Sequence, residues 1–260
     1  MPRGPCLLIC LLATAANQPA PAARLHLVEG RPVVDGVFVN NHGPYRFLVD
    51  TATTSNHIEP TLARSIGLVA TFRTPLTSSV GTVIVPGADG VEIALAPVHA
   101  GGQQFLFAGM DVIHQLDSGI QGILGQDFLS RFDYLLDLRG RRLEFGPQEL
   151  PGSRAAFRLA NGRTAVPTSL GDLVLDSGTQ SLILFGVQPE GNNGGFMRTL
   201  AGSLFVGMVY RQLLIEGRRI WSGPAVALPD RAEPGISGLL PVNLFRAVYV
   251  SNSERYAILQ

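Results

Sequence analysis

Two stretches of this 260-residue sequence read almost alike: Phe47–Thr53 is FLVDTAT and Leu173–Thr179 is LVLDSGT. In each, three apolar residues lead into an aspartate that is followed by small and hydroxyl-bearing residues. A second matching pair follows in the same order, GILGQDF at 122–128 and GLLPVNL at 238–244. Because internal repeats decide architecture, the sequence predicts two halves of one design, each with one aspartate at the end of an apolar strand.

The sequence around these stretches is typical of a β protein. Short apolar runs separated by Gly, Pro and Asn recur along the chain, and helical periodicity is scarce. Strand-like runs flank two hairpin signatures, Asn40–Pro44 and Asn161-Gly162. Short helices are expected at Pro60–Ile66, where Pro begins and Gly67 ends the segment, and at Gln126–Arg131. The fold class predicted is all-β with short helices.

Composition excludes several classes of function. Lys plus Arg and Asp plus Glu each total 20, so there is no basic excess for binding nucleic acid. All the basic residues are Arg, which removes P-loop and Schiff-base lysine chemistry. The five histidines show no metal-ligand spacing, so no metal site is expected.

The first 22 residues have the pattern of an export signal. Arg3 precedes an apolar run, Cys6–Ala16, and the small residues Ala20-Pro21-Ala22 follow it. At 11 residues the run is too short to span a bilayer, which takes about 20. A lipid anchor at Cys10 is disfavoured because no small residue precedes it. We therefore expect a signal peptide at 1–22, no stable membrane span, and a mature, exported chain (periplasmic or extracellular) without cysteine.

An apolar strand ending in Asp-Thr/Ser-Gly-Thr, with an apolar-apolar-Gly element downstream, resembles one lobe of the aspartic peptidases, the pepsin and retropepsin superfamily. The sequence contains two such lobes, and the resemblance implies a two-lobed acid protease fold. The N-terminal lobe would cover 23–148 and the C-terminal lobe 149–260. The resemblance also implies that Asp50 and Asp176 are the catalytic pair and that no cofactor is needed.

The residues after each aspartate receive roles by the same resemblance. Thr51 and Ser177 would each send a hydroxyl to the backbone of the opposite lobe. Thr53 and Thr179 would donate to the carboxylates, which favours their charged form, lowers the pKa values of the pair and places the working range on the acid side.

A hairpin flap over the cleft is expected at Thr77–Val85, with its tip at Ser79, Val80 and Gly81. This segment contains no Tyr, which resembles retropepsins more than pepsins. An extended peptide or unfolded protein would then bind across the cleft by backbone pairing.

Two positions depart from the family pattern. Ala52 stands where Gly178 stands in the second repeat, and its methyl group is expected to crowd the loop. Pro241 replaces the glycine of the second downstream element and removes a backbone donor. The sequence therefore predicts a monomeric aspartic endopeptidase. One alternative is a non-catalytic peptide-binding protein on the same fold, and a structural β module is left only if both aspartate motifs are coincidental.

Overall fold

The computed structural model describes residues 22–78, 81–152, 154–191, 194–199, 202–231 and 233–260. Residues 1–21 of the expected signal peptide lie outside the described residues, and Ala22 is the first residue of a strand. The fold is all-β, with short helices only. Within the described ranges, no helix is long and apolar enough to cross a membrane.

The strands and helices have the following bounds. The strands are β1 (Ala22–Val28), β2 (Arg31–Val39), β3 (His42–Val49), β4 (Asn56–Ile58), β5 (Phe72–Ser78), β6 (Gly81–Leu95), β7 (Val98–Phe107), β8 (Ile120–Leu124), β9 (Tyr134–Asp137), β10 (Arg142–Phe145), β11 (Arg154–Ala156), β12 (Arg158–Ala160), β13 (Arg163–Thr168), β14 (Gly171–Asp176), β15 (Ile183–Phe185), β16 (Gly194–Thr199), β17 (Gly202–Ile215), β18 (Arg218–Leu228), β19 (Gly238–Pro241), β20 (Ala247–Ser251) and β21 (Tyr256–Leu259). The helices are α1 (Pro60–Ser65), α2 (Asp111–His114), α3 (Gln126–Leu129) and a 3₁₀ turn, Val242–Leu244.

Eight strands of each half follow one topology, which confirms the predicted repeat. The first half has the order β1-β2-β3-β8-β4-β7-β6-β5, and the second has β12-β13-β14-β19-β15-β18-β17-β16. In both halves the strand that leads to the aspartate pairs in parallel with the downstream element: Val49 lies opposite Leu124, and Asp176 opposite Pro241. Each aspartate therefore lies at the end of a central, buried strand, at the same place in its lobe.

A shared sheet joins the two lobes. Strands β20 and β21 return from the second half to extend the first half's sheet, where Val248 of β20 lies opposite Leu136 of β9. The predicted boundary at 148/149 falls in the segment between β10 and β11, but the chain crosses back over it at β20. The two large tyrosines of this sheet, Tyr134 and Tyr249, are fully buried. Burial of this shared layer holds the lobes in one relative position.

The local turn and helix predictions fare differently. Asn40 and Asn41 have φ of 47° and 63°, as a two-residue turn of this kind requires, and Asn161-Gly162 forms the second predicted hairpin turn. Helix α1 is confirmed, whereas α3 ends at Leu129, shorter than predicted. Helix α2 was not predicted; its first turn is held by a tertiary bond, from Met110 N–H to the Glu59 carboxylate at 3.1 Å.

Candidate active site

The two lobes bring Asp50 and Asp176 together at the base of one cleft. Both carboxyl groups are buried, with 7% and 5% of the residue surface exposed. A Cβ placed on Gly178 would lie 2.8 Å from Asp50 Oδ2 and 3.3 Å from Asp176 Oδ1. Asp50 Oδ2 and Asp176 Oδ1 are thus separated by no more than the sum of these two distances. The aspartates form a close pair with glycine between them.

Crossed hydrogen bonds hold the two aspartate loops against each other. Thr51 Oγ1 donates to the Leu175 carbonyl at 2.8 Å and accepts from Ser177 N–H at 3.0 Å. Ser177 Oγ in turn donates to the Val49 carbonyl at 2.6 Å and accepts from Thr51 N–H at 3.0 Å. All four bonds cross between lobes and are buried, so each loop satisfies the other's backbone and fixes the position of its aspartate.

The donors to the two carboxylates are not symmetric. Asp50 accepts from Ala52 N–H on Oδ1 at 2.9 Å and from the Thr53 hydroxyl on Oδ2 at 2.8 Å. Asp176 accepts on Oδ1 only, from the N–H groups of Gly178 and Thr179 at 2.7 and 3.1 Å. The expected donation by the Thr179 hydroxyl is wrong, because that hydroxyl lies 3.4 Å from the Ser181 carbonyl instead.

Burial decides the protonation of the pair. Desolvation raises the pKa of Asp50, against the lowering effect of its loop donors. Desolvation also raises the pKa of Asp176, and the neighbouring charge of Asp50 raises it further. The expectation that hydroxyl donation lowers these pKa values overall is therefore wrong, since the loss of hydration outweighs the hydrogen bonds. The pair retains a proton further toward neutral pH than its loop donors alone would allow.

Ala52 fits its loop without strain. Its N–H bonds to Asp50, and its φ is not positive. The methyl group packs against an apolar cluster of the second lobe that includes Ala165 and Val174. The loop thus keeps both the N–H bond to Asp50 and a packed position for the methyl group, which the expected crowding would have disturbed.

Pro241 is accommodated because the residue that would accept a hydrogen bond from this position is also changed. In the first lobe, Gly125 N–H donates to Asn56 Oδ1 at 3.0 Å. The register of the two sheets places Pro241 and Leu182 at the equivalent positions of the second lobe. Donor and acceptor are both absent there, so no buried polar group is left without a partner.

A close backbone contact explains why the first lobe has glycine at position 125. A Cβ at Gly125 would lie 2.4 Å from the Ser55 carbonyl oxygen. The close backbone approach predicted for this element is thus confirmed. The next residue, Gln126, was not predicted as part of the site. Its side-chain amide donates to the Thr51 carbonyl at 2.6 Å and so stabilises the Asp50 loop.

A cleft of about 1950 Å³ opens above the pair and is lined by both lobes. The predicted flap is a hairpin of β5 and β6 in which Ser78 lies opposite Gly81. Its other predicted tip residues, Ser79 and Val80, lie outside the described residues.

A second hairpin, β16–β17, lies at the equivalent position of the second lobe, and it was not predicted. Met197, Leu204 and Phe205 of this hairpin line the cleft, as do Leu76 and Val83 of the first. The cleft thus lies between two β-hairpins with apolar side chains.

His57 of β4 also lines the cleft, a position that the sequence analysis did not assign to the site. It is buried, and its Nε2 has no partner among the described residues. Desolvation lowers the pKa of His57 to about 4, so the imidazole is neutral above that pH. In the described part of the chain, no group of three His, Cys, Asp or Glu residues could hold a metal ion.

Comparison with known proteins finds a similarity for part of the first lobe. Residues 36–128, which include Asp50 and the Gly125 element, match the family model described as aspartyl protease. Among solved structures, the chain is similar to one described as a retropepsin-like aspartic protease from Rickettsia conorii. That similarity has 16% identity and a TM-score of 0.37, and it covers 49% of this chain and 89% of the other. No curated protein matches.

Proposed function

We propose that this chain, which matches the aspartyl protease family model over residues 36–128, is a member of the aspartic peptidase superfamily and an endopeptidase that uses Asp50 and Asp176 as one catalytic pair. The observation that carries the proposal is the pairing of the two aspartates by the crossed bonds of Thr51 and Ser177. A solvated turn motif has no need of such bonds. A pair of buried carboxyl groups at the base of a cleft is an arrangement suited to proton transfer.

The pair can perform general acid–base hydrolysis with one shared proton. Two close carboxylates do not both ionise readily, so one remains protonated over a window of pH. The ionised member takes a proton from a water molecule, which attacks the peptide carbonyl carbon. The protonated member donates to the carbonyl oxygen, and the resulting tetrahedral species collapses with protonation of the leaving amine.

The unequal donor sets favour one assignment of these roles. Asp50 accepts bonds on both carboxylate oxygens, including the Thr53 hydroxyl, whereas Asp176 accepts on Oδ1 only. Hydrogen bonds to the charged form favour ionisation. We therefore assign the base to Asp50 and the acid to Asp176.

The cleft suits an extended peptide. Leu76 and Val83 on one side and Met197 and Phe205 on the other line it with apolar surface, and a strand of substrate can pair with hairpin backbone. One chain supplies both aspartates, so a monomer suffices for the reaction. We further propose that the protein acts after export from the cytoplasm, because its two cysteines lie only at positions 6 and 10, within the proposed signal peptide.

The non-catalytic alternative rested on two departures from the family pattern. Ala52 keeps its N–H on Asp50, and Pro241 is matched by the change at Leu182. Neither position disturbs a carboxylate, so no observation favours that alternative over catalysis.

The test is hydrolysis of an unfolded protein. We expect the mature chain, residues 23–260, to cut a reduced and alkylated protein substrate between pH 3 and pH 7, with internal cleavage sites identified by mass spectrometry. The matched controls are Asp50→Asn and Asp176→Asn, which should leave the substrate intact. Release of terminal residues only, or equal cleavage by the variants, contradicts the proposal.

A further inference from the structure

Each lobe begins with a tight turn that is followed by an arginine. Glu29-Gly30 precedes Arg31 at the start of β2, and Asn161-Gly162 precedes Arg163 at the start of β13. All four turn residues have positive φ, 45° and 76° in the first turn and 50° and 77° in the second. The two arginines therefore leave equivalent turns at equivalent positions of the repeat.

Both turns contact the aspartate loop of the opposite lobe. A Cβ on Gly30 would lie 2.7 Å from Gln180 Oε1, and a Cβ on Gly162 would lie 3.9 Å from Thr54 Cγ2. Gln180 and Thr54 are each the fourth residue after an aspartate. Each arginine therefore directly follows a glycine that contacts the aspartate loop of the other lobe.

Arg31 makes a direct bond across this boundary. Its Nε donates to the Gly178 carbonyl at 2.7 Å, and its side chain is 20% exposed. Gly178 is the residue that donates its N–H to Asp176. Arg31 therefore fixes the peptide group that follows the donor to Asp176, and it brings a positive charge to the same loop.

Arg163 has a different partner on its side of the repeat. It forms an ion pair with Glu233, which also accepts from Asn161 Nδ2 at 3.1 Å. The Arg163 side chain is only 9% exposed, and its Nε has no partner among the described residues. Arg163 and Asp50 both line the cleft, and the ion pair with Glu233 offsets the charge of Arg163.

We propose that Arg31 and Arg163 are positioning residues, each of which supplies positive charge to the aspartate of the opposite lobe, and that Glu233 sets how much of the Arg163 charge Asp50 experiences. The inference rests on the proposed peptidase function of the pair. Burial is the largest influence on both aspartates and raises their pKa values; the charge of Arg31 lowers the pKa of Asp176, and that of Arg163 lowers the pKa of Asp50. The arginines thereby limit the cost of keeping one carboxylate ionised in a buried pair.

Other charged or titratable groups also line the cleft: Glu29, His57, Asp230 and Arg231. Glu29 lies 3.4 Å from Arg31 and is 68% exposed, and Arg231 lies 3.7 Å from Glu233. His57 is neutral above about pH 4 because burial lowers its pKa. All four groups are present in every variant below; Glu233→Gln also removes the ion-pair partner of Arg231, which changes the net charge near the cleft in the same direction as the release of Arg163.

The decisive experiment compares Arg163→Gln with Glu233→Gln. Both variants break the same ion pair and share its structural consequence, but they change the charge beside Asp50 in opposite directions. We expect the pH profile of kcat/KM to move up by about 0.5 pH unit or more in Arg163→Gln and down in Glu233→Gln. Shifts in the same direction, or none, overturn the proposal. Arg154→Gln, at a 64% exposed ion pair with Glu254, is the control that should not shift the profile.

Two variants of Arg31 distinguish the effect of its charge from the effect of its hydrogen bond. Arg31→Gln should move the profile up, whereas Arg31→Lys keeps the charge and loses the planar Nε donor to Gly178. We expect Arg31→Lys to keep the wild-type pH profile while kcat falls by roughly 10-fold, because the aspartate loop loses a positioning bond. A wild-type kcat in Arg31→Lys overturns the positioning role.

A readout independent of catalysis distinguishes failure of this inference from failure of the proposed function. The carboxyl ¹³C resonances of Asp50 and Asp176, assigned with the two Asp→Asn variants, can be titrated by NMR in each protein. If the wild type hydrolyses no peptide at any pH, the proposed function fails, and the direction of the NMR shifts in Arg163→Gln and Glu233→Gln still decides the inference. If the wild type is active and the resonances do not move, the inference alone is wrong.

Discussion

Thr51 and Ser177 form reciprocal hydrogen bonds, in which the N–H of each donates to the hydroxyl of the other at 3.0 Å. The arrangement has the symmetry of a two-fold axis. Each hydroxyl then donates to a carbonyl in the strand before the opposite aspartate, that of Leu175 or Val49. The hydroxyl and the N–H of both residues are therefore satisfied by the other lobe. The accuracy with which the two carboxyl groups meet depends on these four bonds.

The first prediction tests this layer. Thr51→Val keeps the shape of the side chain but removes a donor and an acceptor, which leaves the Leu175 carbonyl and the Ser177 N–H without partners. Each of these two buried groups left unsatisfied costs about 1–3 kcal/mol, so the free energy of unfolding should fall by about 2–6 kcal/mol. Chemical denaturation measures this loss. Thr77→Val, at an exposed hydroxyl bonded to Thr82, is the control and should change stability by less than about 0.5 kcal/mol.

The second prediction concerns the two carboxyl groups. Asp50→Asn and Asp176→Asn should each lower kcat at least about 100-fold on an unfolded protein substrate, since general acid and general base act in the same reaction. Circular dichroism of the variants should match that of the wild type. A variant that retains a tenth of the wild-type rate would contradict the assignment of that residue.

The third prediction compares the equivalent loop positions Ala52 and Gly178. Ala52→Gly should not raise the turnover rate, because the methyl group packs against the second lobe and leaves Asp50 in place. It should lower stability by about 0.5–1 kcal/mol through backbone entropy. Gly178→Ala should instead lower the rate strongly, by on the order of 100-fold, because its Cβ would lie 2.8 Å from Asp50 Oδ2. Equal rates for the two variants would show that this contact is relieved by movement of the loop.

The fourth prediction concerns stability as a function of pH. Burial raises the pKa of Asp176 from 3.8 to about 7, so the folded protein holds a proton that the unfolded chain releases between these values. The contribution of Asp176 to stability is therefore fully present below about pH 4 and is lost as pH rises to about 7. Asp176→Asn removes this dependence and should unfold with a higher free energy than wild type at pH 7, by about 1 kcal/mol or more.

Denaturation at pH 4, 5.5 and 7 measures the effect, and the advantage of Asp176→Asn should shrink toward pH 4. Glu92→Gln, at an exposed position of β6, is the control and should show no such trend. An advantage that is constant with pH would indicate an effect of packing and not of ionisation.

The fifth prediction is a double-mutant cycle at Leu182 and Pro241. Pro241→Gly restores an N–H that has no acceptor, and Leu182→Asn buries an amide that has no donor, so each single variant should lose about 1–3 kcal/mol. The double variant recreates the Asn56–Gly125 bond of the first lobe, and its loss should be smaller than the sum of the two by at least about 0.5 kcal/mol. Additive losses would show that the two positions do not interact.

The sequence by itself determined the all-β class, the two-fold repeat, the hairpin turns and the identity of the paired aspartates. These features are local: an apolar strand that ends in Asp-Thr or Asp-Ser, and Asn-Asn and Asn-Gly turns that adopt positive φ, are visible in adjacent residues. The sequence also contains a second repeated pair, Gly30-Arg31 and Gly162-Arg163, whose equivalence is visible only once the turns are aligned.

Only the tertiary structure decided the chemistry of the site. The net rise of both aspartate pKa values depends on burial in the folded protein, and the hydroxyl of Thr179 lies at the Ser181 carbonyl and not at the Asp176 carboxylate. Pro241 is tolerated because Leu182, which lies 59 positions earlier in the chain, has no acceptor for the missing N–H. Desolvation and hydrogen-bond satisfaction are properties of groups that meet in space, and the order of residues along a chain does not contain them.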